Sequence, residues 1–465
     1  MIRSLAKTLL VSALFALPVA GQGPSPKPNI VIFLGDDLNY CDIGCYGNPD
    51  VKTPAIDRLA SQGMRFTRAY TSTAMCGPTR MQLYTGIYPV RNGGFPNHSS
   101  VKVGTKSIVH HLTEQGYRVA LSNKSHVGPK ESFPFEIIRG MDVEGWREFM
   151  TRDRDQPFCI AICSSQPHEP WDHGDAAQYK PHQVTVPPFM FDNQETREAL
   201  CRYYAEVTYL DEELDSCLKI LAKEELEPNT LVLFSSEQGA GVPNSKWTCY
   251  ELGLRVALVA RWPDMIMAGS NTNAMINYVD VVPTLLDLLG CDARQYDFDG
   301  SSFKDVLLGK SDVHNRVAFG VHTQTNAIGA PETGYPVRSV RNDRFKYIVN
   351  ENSNVMFSDH IVVADPERFF FSWRAAADGG NLQAKKLVDK YLFRPVEELY
   401  DLEQDPYEFN NLIASPEYSA TVEELKQELK KWMVQQGDLG HETELVIIRK
   451  HEAAQAAKIQ NQQPQ

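Results

Sequence analysis

"PNIVIFLGDD", residues 28–37, is an unbroken apolar run that stops at two aspartates. A strand buried on both faces reads this way, and the polar residues after it mark the sheet edge where α/β proteins bind ligands. Outward from it, "KTPAIDRLASQG" (52–63) carries helix signals: Thr53 as N-cap, Pro54 at the first helical position, Gly63 as the stop. "SIVHHLTEQGYRVALSNK" (107–124) repeats the unit, a helix closed near Gly116 and then a strand. "PFCIAICSS" (157–165) and "NTLVLFSSEQGA" (229–240) are further apolar strands ending in polar clusters. Between them, residues 202–224 carry an apolar stripe at helical period. "RVALVARWP" and "VDVVPTLLDLLG" add one more strand and helix. The alternation predicts an α/β fold, a large mixed, mostly parallel sheet sandwiched by helices.

After about residue 335 the texture changes. "YPVRSVRNDRFKYIVN" reads as short strands with turns, and "ATVEELKQELKKWMVQQ" as an amphipathic helix with Glu-to-Lys pairs at helical spacing. We expect a catalytic domain over 28–335 and a smaller C-terminal subdomain of antiparallel sheet plus helix over 336–450. A frayed tail is expected over 451–465.

The chain has 465 residues, 42% of them hydrophobic and 23% charged, as in a globular protein with a large core. A formal net charge of −13 lacks the basic footprint of a nucleic-acid binder. It also requires any anionic substrate to be captured by a local basic pocket. Residues 1–21 read as a signal peptide, with Arg3 and Lys7 before a short apolar stretch and Ala20 for cleavage; a retained anchor is the alternative. No later stretch reaches ~18 apolar residues, so we expect a periplasmic or secreted chain without stable membrane insertion. Nine cysteines form no dense framework, and no pairing is assigned.

Candidate chemistry collects at the strand ends. Asp36 and Asp37, and the pair Glu237–Gln238, could give oxygen ligands to calcium or magnesium. Arg80, Lys124, His126, His168 and Lys246 are the cationic candidates, together suited to a tetrahedral dianion beside a metal. Cys76 stands where the helix "TRMQLYTGIYP" begins, at an end that favours anionic chemistry. Each has a plainer role as turn, cap, buried thiol or solvated charge.

In this order, "NIVIFLGDD", "CGPTR", "PHEPW", "TLVLFSSEQG" and "ELYDLEQDP" resemble the type I sulfatases, whose signature is C-x-P-x-R. The resemblance spans most of the mature chain and implies an alkaline phosphatase-like fold. It implies that Cys76 is oxidised to 3-oxoalanine (formylglycine) by a formylglycine-generating enzyme. It further implies one Ca2+ held by Asp36, Asp37, Glu237, Gln238 and residue 76. Arg80 would steady the formylglycine, Lys124 and His126 would contact its hydrate, and His168 and Lys246 would bind the sulfate ester. The chain departs from the family pattern at Glu237–Gln238, where relatives carry Asp with Asn or His. It departs again at Asn123-Lys124-Ser125-His126, where Gly-Lys-Trp-His is usual.

"PHEPWDHGD" resembles the matching stretch of N-sulfoglucosamine sulfohydrolases and polysaccharide sulfatases, so a sulfated carbohydrate is the expected substrate. Trp171 could stack on a sugar, and His322 and Arg338 could read a carboxylate or second sulfate; core packing and surface pairing are the competing roles of these three. Two rival functions remain at this level. One is a phosphatase or phosphonate monoester hydrolase of the same superfamily. The other is a non-catalytic sulfoglycan-binding protein with an unmodified Cys76.

Overall fold

The computed structural model describes residues 27–323 and 334–449. The expected signal peptide and C-terminal tail lie outside the described residues. Among the described residues thirteen strands form two sheets. Nine belong to the large one: β1 (Asn29–Gly35), β2 (Met64–Tyr70), β3 (Arg118–Asn123), β4 (Glu136–Ile138), β5 (Phe158–Cys163), β6 (Thr230–Ser236), β7 (Arg255–Arg261), β8 (Ser270–Thr272) and β9 (Ile276–Asn277). Their order is β4-β3-β5-β1-β6-β7-β2-β8, with β9 also on β2. β4 to β6 along this order run parallel, while β7 is antiparallel to both its neighbours.

β1 sits at the centre, between β5 and β6, and its period-2 pattern serves two cores. Val31 and Phe33 pack into the layer formed with the 30-residue helix Gln194–Lys223, through residues such as Tyr203, Leu210 and Leu214. Ile30, Ile32 and Leu34 face the opposite layer with Leu83, Tyr84 and Leu285. A strand apolar at every position is therefore required here.

The small sheet is antiparallel, β10 (Ala318–His322), β11 (Val337–Arg341), β12 (Phe345–Asn350) and β13 (Glu397–Asp401) in that order. The helix Ser419–Gln436 covers it, burying Leu425, Leu429 and Trp432, with Trp432 stacked on Phe319 at 4.8 Å. β10 precedes residue 336, so the expected boundary falls inside this sheet. Its "AFGVH" alternates in the same way as a strand of either sheet, and only its partner β11 decides the matter. The helices Phe369–Asp378 and Leu382–Leu392 were not foreseen. The first packs on the long helix of the large domain, where Trp373 Nε1 donates to Thr196 Oγ1 at 2.8 Å. All nine cysteines, each among the described residues, are free. No helix among the described residues is long and apolar enough to cross a membrane.

Candidate active site

Parallel pairing carries β1 and β6 to their ends in register, Gly35 opposite Ser236. The pairing continues past the strands: Glu237 N–H donates to Gly35 O at 2.9 Å, and Asp36 N–H to Gln166 O at 2.9 Å. Asp36 and Glu237 are thereby brought level, with Asp37 and Gln238 beyond them, and all four are fully buried. Asp37 holds φ at 59°, a left-handed conformation that reverses the chain and returns its carboxylate to the same point.

Cys76 opens the helix Cys76–Thr85 and is 3% exposed. Its Sγ lies 3.7 Å from Asp36 Oδ1 and 3.5 Å from Gln238 Nε2. Arg80, one turn later on the same face, is the reason the spacing matters. Its Nε donates to Glu237 Oε2 at 2.5 Å and its Nη1 to the Lys124 carbonyl at 2.8 Å. Asn97 Oδ1 accepts the Gly77 N–H at 3.4 Å, and His98 packs edge-on against His126 at 5.6 Å.

Lys124 Nζ donates to Asp36 Oδ2, and Lys246 Nζ to Asp37 Oδ2 at 2.5 Å. Lys246 Nζ is also 3.2 Å from His168 Nε2, which lies 3.6 Å from Asp37 Oδ2. The His168 Nδ1 contacts the Glu169 carbonyl at 2.6 Å, fixing the ring. Burial opposes charge throughout this cluster, yet the pairs hold. The Asp36 carboxyl resists burial and is lowered by Lys124, whereas burial outweighs Arg80 at Glu237 and raises it. Burial, then the Glu237 charge, pushes the Cys76 thiol well above its ordinary range, so a free thiolate is disfavoured. His126 falls to about 4 through partial burial and the cations Lys124 and Arg80. His168 rises: against burial, the largest single effect, and Lys246, the carboxylates Asp37, Glu169 and Asp36 together prevail.

Non-glycine residues at positive φ gather here: Asp37, His98, Asn123, His126, Asn244 and Trp247. Backbone of this kind persists where surrounding structure holds it and is frequent at functional sites.

Three expected substrate readers are placed elsewhere. Trp171 is 4% exposed, stacked parallel to Phe369 at 6.2 Å and against Tyr203 at 5.0 Å, with Nε1 donating to Pro167 O. No sugar face is available on it. Arg338 is fully buried and forms a fork with Asp438, whose Oδ1 lies 2.9 Å from Nη2. His322 is fully buried between Trp247 and Phe357, and burial, with Arg394 and Arg338, drives its pKa well below the ordinary value. A fully buried ring presents no face to a substrate. All three therefore belong to the core. Sequence reading missed Glu169, Trp247 and His360, which surround the His168–Lys246 pair. Glu169 could have been noticed beside His168, while His360 gave no signal because only the folded chain brings it near.

The donor set fits a hard cation. Asp36, Asp37, Cys76 and Glu237 each offer an atom within 4.8 Å of the others. Gln238 Oε1 is buried without a partner among the described residues. Oxygen donors of this number suit calcium better than a soft metal.

Comparison with known proteins covers most of the chain. Residues 28–143 and 142–291 match the family described as Sulfatase, and 244–369 the family described as N-sulphoglucosamine sulphohydrolase, C-terminal. An ulvan-active sulfatase of Formosa agariphila is 35% identical over 431 residues, covering 89% of this chain and 82% of its own. The human N-sulphoglucosamine sulphohydrolase is 26% identical over 469 residues, covering 90% and 92%. A solved structure, bound to its substrate D-glucosamine-2-N,6-O-disulfate, superposes with a TM-score of 0.68 at 20% identity over 89% of this chain and 99% of its own.

Proposed function

The chain belongs to the sulfatase family, and from that premise we propose that it cleaves the sulfate ester of a sulfated carbohydrate. Residue 76 would act as formylglycine, and Asp36, Asp37, Glu237 and Gln238 would hold calcium. One observation carries this: a buried residue 76 at a helix start, with three carboxylates and the Arg80, Lys124 and Lys246 cations converging on it. The three cations and three carboxylates balance, so a bound divalent ion gives the pocket the positive charge that a sulfate monoester needs.

Formylglycine at residue 76 would supply, as its hydrate, the nucleophile for sulfur and a route for sulfate release, and calcium held by Asp36, Asp37, Glu237 and Gln238 would supply positive charge. Arg80 holds residue 76 and Glu237 in place. Lys124, bound to Asp36, would neutralise a sulfate oxygen. His168 and Lys246 converge where the leaving oxygen departs, to donate a proton or charge, a role typically worth ~10²–10⁴-fold. His126, uncharged at neutral pH, is suited to accept the proton when sulfate is released. The apolar leader fits export to the periplasm or beyond, and maturation would need a formylglycine-generating partner.

The match over 244–369 favours a second reading, in which sulfate leaves from nitrogen of a hexosamine. The tryptic peptide Ala69–Arg80 tests the chemistry directly. Its mass should show sulfur and two hydrogens exchanged for oxygen, and Cys76→Ala should abolish turnover of aryl sulfate while the fold persists. An unmodified peptide in active enzyme, or faster turnover of aryl phosphate, would overturn the proposal. Ulvan oligosaccharide against glucosamine N-sulfate then separates the two substrate readings.

A further inference from the structure

His360 touches neither the carboxylate cluster nor residue 76, but it lies between the two loops that carry His168 and Lys246. Its Nε2 is 2.8 Å from Oε1 of Glu169, the residue after His168. Its ring meets edge-on, at 5.9 Å, the indole of Trp247, the residue after Lys246. Both neighbours are fixed in turn. Trp247 sits at φ 67° with its N–H donating to Ala74 O at 3.0 Å, and Lys246 N–H donates to Ala240 O at 3.0 Å. The Glu169 carboxylate fills space left by Gly241: a Cβ there would come within 2.7 Å of Oε2. His360 itself is anchored from the far side of the chain. It opens the short helix His360–Val363, whose cap Asp359 accepts the N–H groups of Ile361 and Val362 and the hydroxyl of Tyr391 at 2.5 Å.

We propose that His360 is a positioning residue for ester cleavage, holding Glu169 and Trp247 so that His168 and Lys246 address the leaving oxygen together. This rests on the reading above that those two groups act on the leaving oxygen. His168 Nε2 and Lys246 Nζ stand 3.2 Å apart, and both must reach one atom. A shift of either loop would separate them, and small displacements of positioned groups cost large factors in rate. Two loops from different strands share no backbone pairing that would fix this spacing among the described residues. His360 supplies a common contact.

Leaving-group dependence reads this role where mere packing would not. A good leaving group such as 4-nitrophenolate needs little assistance, and phenolate needs more. Phenyl sulfate and 4-nitrophenyl sulfate should be compared as substrates of matured enzyme, with formylglycine content and unfolding temperature measured for each variant. His360→Ala is expected to lower kcat for phenyl sulfate about tenfold more than for 4-nitrophenyl sulfate, with KM nearly constant. His360→Gln, which keeps a polar side chain against Glu169, should recover most of that loss. Glu169→Ala should reproduce the steeper dependence and decides the matter if His360→Ala does not fold. Equal losses on both substrates, or wild-type dependence in folded His360→Ala and Glu169→Ala, would overturn the proposal. His168→Ala is the control: if it steepens the dependence and the His360 and Glu169 variants do not, only the role of His360 falls. Without steepening in His168→Ala, the leaving-group reading falls and the proposal with it.

Discussion

His126 and His168 each stand beside a lysine, yet their surroundings push them in opposite directions. At His126 partial burial and the cations Lys124 and Arg80 outweigh the Glu237 carboxylate, and it falls to about 4. His168 has Asp37 and Glu169 to set against burial and Lys246, and it rises above the ordinary histidine value. Between those limits one histidine is neutral and the other protonated, the states required of a base and an acid. A bell-shaped kcat/KM profile is therefore expected, its acid limb set by His126 near pH 4 and its alkaline limb by His168 above the usual imidazole range. Recording the profile for His168→Gln checks the assignment: the alkaline limb should disappear from the residual activity, and its survival would give that limb to another group.

At the scale of elements, the strands and their polar ends were legible because a buried parallel strand must be apolar throughout and its site must follow it. "NIVIFLGDD" and "TLVLFSSEQG" therefore end in Asp36–Asp37 and Glu237–Gln238, which the paired strands bring side by side. The small sheet was less legible. Arg338 in "YPVRSVRN" looks like a surface cation, but β11 is buried on both sides and the arginine is neutralised by Asp438, a hundred residues away in sequence. Such a pair leaves no local mark. The pairing ties β11 to the turn after the helix Ser419–Gln436, and cutting it strands a buried carboxylate. Arg338→Ala should destabilise the fold by about 3–5 kcal/mol. Denaturant unfolding measures this; KM should move by similar factors on aryl sulfate and sulfated oligosaccharide. A selective loss on the oligosaccharide would return Arg338 to substrate recognition.

Across the molecule the charge balance becomes decisive. The chain carries −13 overall, and its pocket lysines are already committed to Asp36 and Asp37. Attraction for an anion would then depend on the cation proposed for the carboxylate cluster. Exhaustive chelation should raise KM for aryl sulfate and abolish turnover, and calcium should restore both better than zinc, which prefers softer ligands. Full activity in enzyme shown by elemental analysis to hold no metal would exclude this role.

The central place of β1 also sets an order in time. This strand is synthesised early and can pair with β5 once Cys163 has been made, but its other edge, towards β6, stays open until Ser236 has been made. Residue 76 is added long before then, and at ~5–20 residues per second roughly ten to thirty seconds pass before the sheet can close. Once it closes, Cys76 retains only 3% of its exposure, beneath the strand ends that assemble over it. If residue 76 matures as proposed, a modifying enzyme would have access to an extended segment during that interval and to almost nothing afterwards. A chain that folds before it is modified would be lastingly inert, however stable it is, and the active fraction of a preparation would be decided by a race at birth.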